Sequence, residues 1–293
     1  MINFMRYQAF ALVWGILLTA LFVGGFVYKR MTRGEAFVYS VEFTGGTQVL
    51  YKFSQPISGE KVMAALEKGG IAGVMTRDFS ANEVLVRVKQ FEGTSSGLAG
   101  RMREILAQNT GYEVEIRQVD SIGSGVGETL RFKSLLAFVM AVLLILLYLA
   151  IRFWSWSYAV GAIVALVHDI IFVVTVFLLF DIEISINVIG AIIAVLGYSV
   201  NDTIIISTRI RENMSRLSNM LPEDIVNISI NETLRRTILT VFATTLVVVA
   251  LVLFGGEVLR SLSLVLLLGF AFGTYSSIFV ASPVMLLIDR RKK

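Results

Sequence analysis

The residue of this sequence most able to do chemistry is an aspartate set inside an apolar segment. Asp202 stands in Gly197-Tyr198-Ser199-Val200-Asn201-Asp202-Thr203, between two aliphatic runs. An ionised carboxylate in hydrocarbon costs about 3 kcal/mol on insertion scales, so such acids are rare and usually functional. One reading is a site that takes up and releases a proton. The other is a structural carboxylate, paired with an arginine or snorkelling to the interface. Arg236 is the natural partner, because it opens the next apolar segment at a matching depth; with Arg235 it also reads as a membrane anchor. His168 and Asp169 are a second polar pair within an apolar run. Neighbours on a helix point about 100° apart, so each is expected to contact another helix rather than its neighbour. They serve either as a proton relay or, for the histidine, as a hydrogen-bonded packing residue.

Other chemistries are excluded by composition. The 293 residues contain no cysteine and one histidine, which removes disulfides, thiolate sites and multi-histidine metal centres. There is no nucleophile–base arrangement, so neither an enzyme active site nor a cofactor is expected. Gly45-Gly46 reads as a turn or bulge; the lysine-serine pair of a phosphate-binding loop does not follow it. The net charge of +4 is modest and argues for membrane topology rather than nucleic-acid binding.

The elements that must position these residues are membrane helices. The chain is 56% hydrophobic and only 16% charged, where a soluble domain carries about 25% charged residues. Apolar blocks cover residues 7–28, 135–151, 157–180, 184–207, 237–256 and 261–288. Each approaches the roughly 20 residues that cross a 30 Å hydrocarbon layer. The first is too long for a signal-peptide core and is read as a retained helix. The spacing in the inserted region changes to that of strands over 37–43, 48–53, 73–79, 82–89 and 112–119, with helices over 58–68 and 96–108. Ser58 is the expected N-cap of the first of these and Gly69-Gly70 its stop. The order is the βαββαβ of a ferredoxin-like unit, followed by a glycine-rich joint over 121–127.

The expected layout is a first membrane helix over 1–29 and a ferredoxin-like domain over 30–131. Three membrane helices follow over 132–207, then a loop over 208–236 with an interfacial helix beginning at Pro222. Two more membrane helices occupy 237–288, and a basic tail 289–293. Interfacial aromatics, among them Trp154, mark the turn after the second membrane helix. Gly190, Ala194, Gly197 and Asn201 on the fourth helix, and Gly269, Gly273 and Ser277 on the sixth, recur at helical spacing. Small residues so placed let backbones approach closely. Thr237, Thr240 and Thr244 make a hydroxyl face on the fifth. Packing is the default for all three stripes, and a hydrated lining the sharper alternative. Arginines at 6, 152, 209, 211, 216, 235 and 236 and the basic C-terminus fall on one side, which predicts cytoplasmic termini and an inserted domain facing the periplasm or exterior. Lys29, Arg30 and Arg33 fall on the other side, ahead of a long domain where the rule is weak.

Several of these segments together resemble the SecF family of bacterial protein export. They are Val41-Glu42-Phe43-Thr44-Gly45-Gly46-Thr47; His168-Asp169; Gly197 to Ile204 running on to Arg209-Ile210-Arg211-Glu212-Asn213; Asn231-Glu232-Thr233-Leu234-Arg235-Arg236-Thr237; and Gly273 to Pro283. The likeness spans nearly the whole chain. It implies a six-helix half-unit of the RND superfamily that pairs with SecD into a pseudosymmetric twelve-helix body in the bacterial inner membrane. It further implies association with the SecYEG translocon and accessory YajC, and use of the proton-motive force on unfolded preproteins after the channel. Asp202 matches the family's intramembrane proton site and Arg236 its basic partner. One departure is visible: the joint commonly reads Val-Gly-Pro in relatives and is Ile122-Gly123-Ser124 here. A self-contained proton-coupled exporter of lipids or small molecules, and a non-transporting scaffold, are the competing readings.

Overall fold

A computed structural model describes residues 2–88, 95–153 and 155–290. Lys89 at the end of an expected strand, Trp154 among the expected interfacial aromatics, and residues 291–293 of the basic tail lie outside that range. The chain divides into one unit of residues 1–38 with 137–293 and another of residues 39–136.

The first unit opens with α1 (Gln8–Arg33), ended by Gly34 in the left-handed region. The second unit then begins with a departure from the expected first strand. Val41–Thr44 is a single helical turn, α2, closed by bonds from the Thr44 N–H to Ser40 O and from the Gly45 N–H to Val41 O. Gly45 (φ 71°) and Gly46 (φ 111°) then turn the backbone through conformations that side chains rarely adopt. The ladder therefore starts only at β1 (Gly46–Phe53). It continues through α3 (Gly59–Lys68), β2 (Val74–Ser80), β3 (Glu83–Val88), α4 (Ser95–Thr110) and β4 (Val114–Ile122).

All pairings in this sheet are antiparallel, in the order β2-β3-β1-β4, which is the ferredoxin-like arrangement. Alternation decides its faces. Val49, Tyr51 and Phe53 of β1 and Val84, Val86 and Val88 of β3 point into one core with Val62 and Leu66 of α3 and Leu98, Met102 and Leu106 of α4. Ser58 precedes α3 as expected, but its hydroxyl does not cap it. The Asp78 carboxylate of β2 accepts from the Gly59 N–H instead, at 2.5 Å, and the Thr76 hydroxyl donates to Gly59 O. Burial pushes the Tyr51 hydroxyl above its ordinary pKa, against a weaker opposing pull from Arg103; that hydroxyl donates to Ala99 O.

The glycine-rich joint is shorter than expected. β4 keeps its ladder to Ile122, opposite Gly46, and α5 (Ser124–Phe153) begins two residues later. Gly127, in the first turns of α5, approaches the Gly45 backbone so closely that a Cβ would lie 2.9 Å from its nitrogen.

The first unit resumes with the rest of α5, then α6 (Trp156–Phe180), α7 (Ile186–Arg216), α8 (Pro222–Phe254), α9 (Gly256–Ser276), a π-helical turn (Ser277–Ala281) and α10 (Ser282–Arg290). Among the described residues six helices are long and apolar enough to span a membrane, the last running through the π turn. The expected loop over 208–236 with its separate interfacial helix is corrected: only residues 217–221 separate α7 from α8, and α8 runs unbroken for 33 residues. Cross-links between the two helix ends hold the polar stretch in helix. Asn213 donates to Ser229 Oγ and Glu232, and Arg209 reaches Glu232 at 2.6 Å. Ile206 and Ile210 of α7 pack with Val226 and Ile230 of α8 around Phe4 and Met5.

The π turn has a local cause. Pro283 has no N–H to bond one turn back, and its ring crowds that carbonyl; a widened turn before it relieves both. Half of the apolar window is buried in α6, in α7 and in the last span, against 11%, 6% and 11% in the spans of α1, α5 and α8. The central three helices therefore carry the protected interior.

Candidate intramembrane site

The interior of the first unit is polar at one level. Asp169 on α6 is fully buried, Asp202 on α7 is 2% exposed and His168 is 7% exposed. The Ser199 hydroxyl, one helical turn before Asp202, donates to Asp169 Oδ2 at 2.5 Å. The Thr274 hydroxyl of α9 donates to Asp202 Oδ2 at 3.3 Å. Between these contacts, Thr203 Oγ1 and Ser277 Oγ are 2.8 Å apart, and Ser277 Oγ lies 3.3 Å from Ser199 O. Two carboxylates on different helices thus sit in one layer of hydroxyls from α7, α9 and the π turn.

Close helix approach makes this layer possible. A Cβ on Gly269 would lie 2.3 Å from Val195 Cγ2, and one on Gly273 would lie 2.9 Å from Ser199 Cβ, so α9 rests directly on α7. The expected packing glycines of α7 behave differently. Nothing lies within 4 Å of a Cβ on Gly190 or Gly197, and with Ala194 and Asn201 they form an exposed face. Their spacing is right but no element among the described residues meets them. Gly161 was not singled out from sequence, yet its Cβ would meet Ala281 O at 2.6 Å. The signal was present in Ser157, Gly161 and Ala165, a small residue every fourth position.

His168 Nδ1 and Asp169 Oδ1 are 3.7 Å apart. The two therefore come closer to one another than helix geometry led us to expect, since both side chains bend into the same interior. The gap is still too long for a hydrogen bond, and among the described residues neither ring nitrogen has a hydrogen-bond partner. The imidazole borders a cleft of about 610 Å³ between α1 and α6, with Gly15 directly opposite. Arg236 is exposed on α8. No hydrogen bond or ion pair joins it to Asp202 among the described residues, and it acts on that carboxylate through space. On the hydroxyl face of α8, Thr244 meets Tyr198 OH at 3.2 Å, whereas Thr240 folds back onto Arg236 O and the buried Thr237 hydroxyl has no hydrogen-bond partner among the described residues.

The basic residues after the first helix are also accounted for. Lys29 donates to Leu178 O and to Asp181 Oδ1, and Arg33 reaches Asp181 Oδ2 at 3.0 Å. Partial burial works against the Asp181 carboxylate, but hydrogen bonds and charge from Lys29 and Arg33 outweigh it and hold its carboxyl below the ordinary carboxylate pKa. Among the described residues no group of three or more His, Cys, Asp or Glu side chains could hold a metal.

Six candidate spans among the described residues, with buried carboxylates inside and one inserted α+β domain, define a multi-pass membrane protein. The family model "Protein export membrane protein SecD/SecF, C-terminal" matches residues 102–291, and the "SecD/SecF GG Motif" matches residues 37–57, around Gly45 and Gly46. The chain belongs to the SecF family, membrane subunits of the Sec protein-export machinery. It is 37% identical to protein translocase subunit SecF of Vibrio alginolyticus, over 100% of this chain and 91% of that one. It is 34% identical to the subunit of Escherichia coli O157:H7, over 99% and 89%. The crystal structure of SecDF from Thermus thermophilus superposes with a TM-score of 0.86 at 32% identity, covering 99% of this chain and 39% of SecDF. A super-membrane-facing form of SecDF gives 0.71 at 33% identity, with the same coverage. The chain thus spans about two fifths of those SecDF chains.

Proposed function

We propose that this subunit, paired with SecD, uses the proton-motive force to help preproteins across the membrane after they enter the SecYEG channel. It performs no enzymatic reaction. Asp202 takes up and releases the proton, Arg236 tunes it through space, and Asp169 with His168 forms the neighbouring part of the relay. The observation that carries this reading is the state of Asp202: a carboxylate buried in a membrane helix, bonded by the Thr274 hydroxyl and, among the described residues, not locked in an ion pair. Such a group changes charge without first breaking a salt bridge.

The energy is of the right order. Moving a two-state equilibrium from 1:99 to 99:1 takes about 5.5 kcal/mol. One charge crossing 100 mV supplies about 2.3 kcal/mol, so about three protons per cycle suffice at that potential.

The exposed face of Gly190, Ala194, Gly197 and Asn201 is the docking surface for the SecD half in a twelve-helix body, because small residues at this spacing receive a neighbouring helix. The site of action is the bacterial inner membrane, with both termini in the cytoplasm and the ferredoxin-like domain in the periplasm, where it helps hold or pull the emerging chain. YajC is the accessory partner. The test is Asp202→Asn in cells lacking the native copy. The expected result is loss of proton-gradient stimulation of export with SecD association intact. Undiminished stimulation would reduce Asp202 to a structural acid.

A further inference from the structure

We propose that Asp169 and Asp202 form one coupled proton-binding pair, joined through Ser199, Ser277 and Thr203, with Ser277 as the positioning residue at the head of the π turn. This deepens the proton-driven reading above and rests on it.

The number of hydroxyl protons restricts this network. A serine hydroxyl carries one proton and two lone pairs. Ser277 Oγ lies within hydrogen-bond distance of three oxygens: Thr203 Oγ1 at 2.8 Å, Gly273 O at 2.9 Å and Ser199 O at 3.3 Å. Carbonyls only accept. Ser277 can therefore donate to only one of the two at a time, within its own helix to Gly273 or across to α7 at Ser199, and whenever it does so it accepts from Thr203. Ser199 is also the residue whose side chain holds Asp169. While Asp169 is ionised, Ser199 is the donor in that bond. Once Asp169 is protonated its own O–H can donate, and Ser199 becomes the acceptor. The change falls on the residue whose carbonyl competes for the Ser277 proton.

On the far side, Thr203 follows Asp202 directly in the chain, and Thr274, which bonds Asp202, lies one turn before Ser277. The Gly273–Ser199 approach leaves no slack between the helices, so a rearrangement at Ser199 is passed on to α9. The part able to yield is the π turn, where Ser282 Oγ bonds Ser277 O. The other titratable or charged groups facing the pair are His168 beside Asp169, Tyr275 of α9 next to the His168 ring, and Tyr198 and Arg236 near Asp202.

The experiment is infrared titration of the carboxyl stretch in the full chain with SecD in liposomes. Bands are assigned by Asp169→Asn and Asp202→Asn. Asp169→Asn is expected to move the Asp202 midpoint by about tenfold or more in proton concentration, the mark of an interacting pair. Ser277→Ala and the isosteric Thr203→Val are each expected to shrink that displacement to less than twofold, and Thr203→Ser to restore it. An Asp202 midpoint that ignores Asp169→Asn overturns the pair. A displacement that survives both hydroxyl deletions overturns the role of Ser277. If the coupling is found but Asp202→Asn leaves proton-driven export untouched, the pair stands and the energy-transducing reading falls.

Discussion

The Lys29 ammonium, buried at the end of α1, bonds the Asp181 carboxylate at 2.7 Å where the chain turns out of α6. This contact ties the sparsely packed first helix to the central three. With Arg33 it also gives basic residues at the end of α1 a structural role that charge counting alone does not supply. Asp181 is the one non-glycine residue with positive φ among the described residues, at the C-cap of α6, where its N–H bonds Phe177 O.

Asp181→Asn is expected to lower stability by about 1–2 kcal/mol. That is below the 3–5 kcal/mol of a fully buried pair, because the Asp181 side chain is 37% exposed. The sign of the pH effect follows from its depressed carboxyl pKa. The contribution is fully present above the unfolded aspartate value of about 3.9 and is lost as pH falls through the lower folded value. Thermal unfolding in detergent between pH 7 and pH 3 checks this: the difference between wild type and variant closes only at the acid end.

Alanine at the small positions separates internal packing from docking. Gly269→Ala is expected to cost about 1–3 kcal/mol as an overpacked contact with Val195, read as a lower unfolding temperature of the chain alone. Gly190→Ala and Gly197→Ala meet open space. They are expected to leave that temperature within experimental error and to weaken co-purification with SecD.

The turn into β1 depends on glycine. Gly45 sits at φ 71°, ψ 170°, a region reached almost only by glycine and costing about 1–3 kcal/mol for other residues. Gly45→Ala is expected to raise hydrogen exchange along β1 and β4. Gly127→Ala is expected to do the same through its clash with the Gly45 nitrogen.

Asp78 caps α3 from a neighbouring strand. Asp78→Ala is expected to cost about 1 kcal/mol, as loss of a cap does, whereas Ser58→Ala is expected to be nearly silent because its hydroxyl makes no cap bond. Exchange protection of the first turn of α3 distinguishes the two.

Solvent and period made part of this protein legible from its residues alone. Membrane helices must satisfy their backbones internally and run about 20 apolar residues, so all six spans were legible. Strand and helix periods placed the βαββαβ order, and Asp202, Asp169 and His168 stood out because charge is rare in such segments. The tertiary structure alone decided which faces meet. Hydroxyl residues are common in membrane helices, and each has its own backbone to bond. Nothing in the spacing of Ser199, Thr274 or Ser277 reveals that the rotation of α7 against α9 brings them onto two carboxylates. Likewise Gly273 and Gly197 carry the same local signal, and only the packing of neighbouring helices makes one a contact and leaves the other open. The unbroken course of α8 through its polar first turns has the same origin. Asn213, Arg209 and Glu232 hold it there, and they are brought together from two helices whose adjacency is a property of the fold.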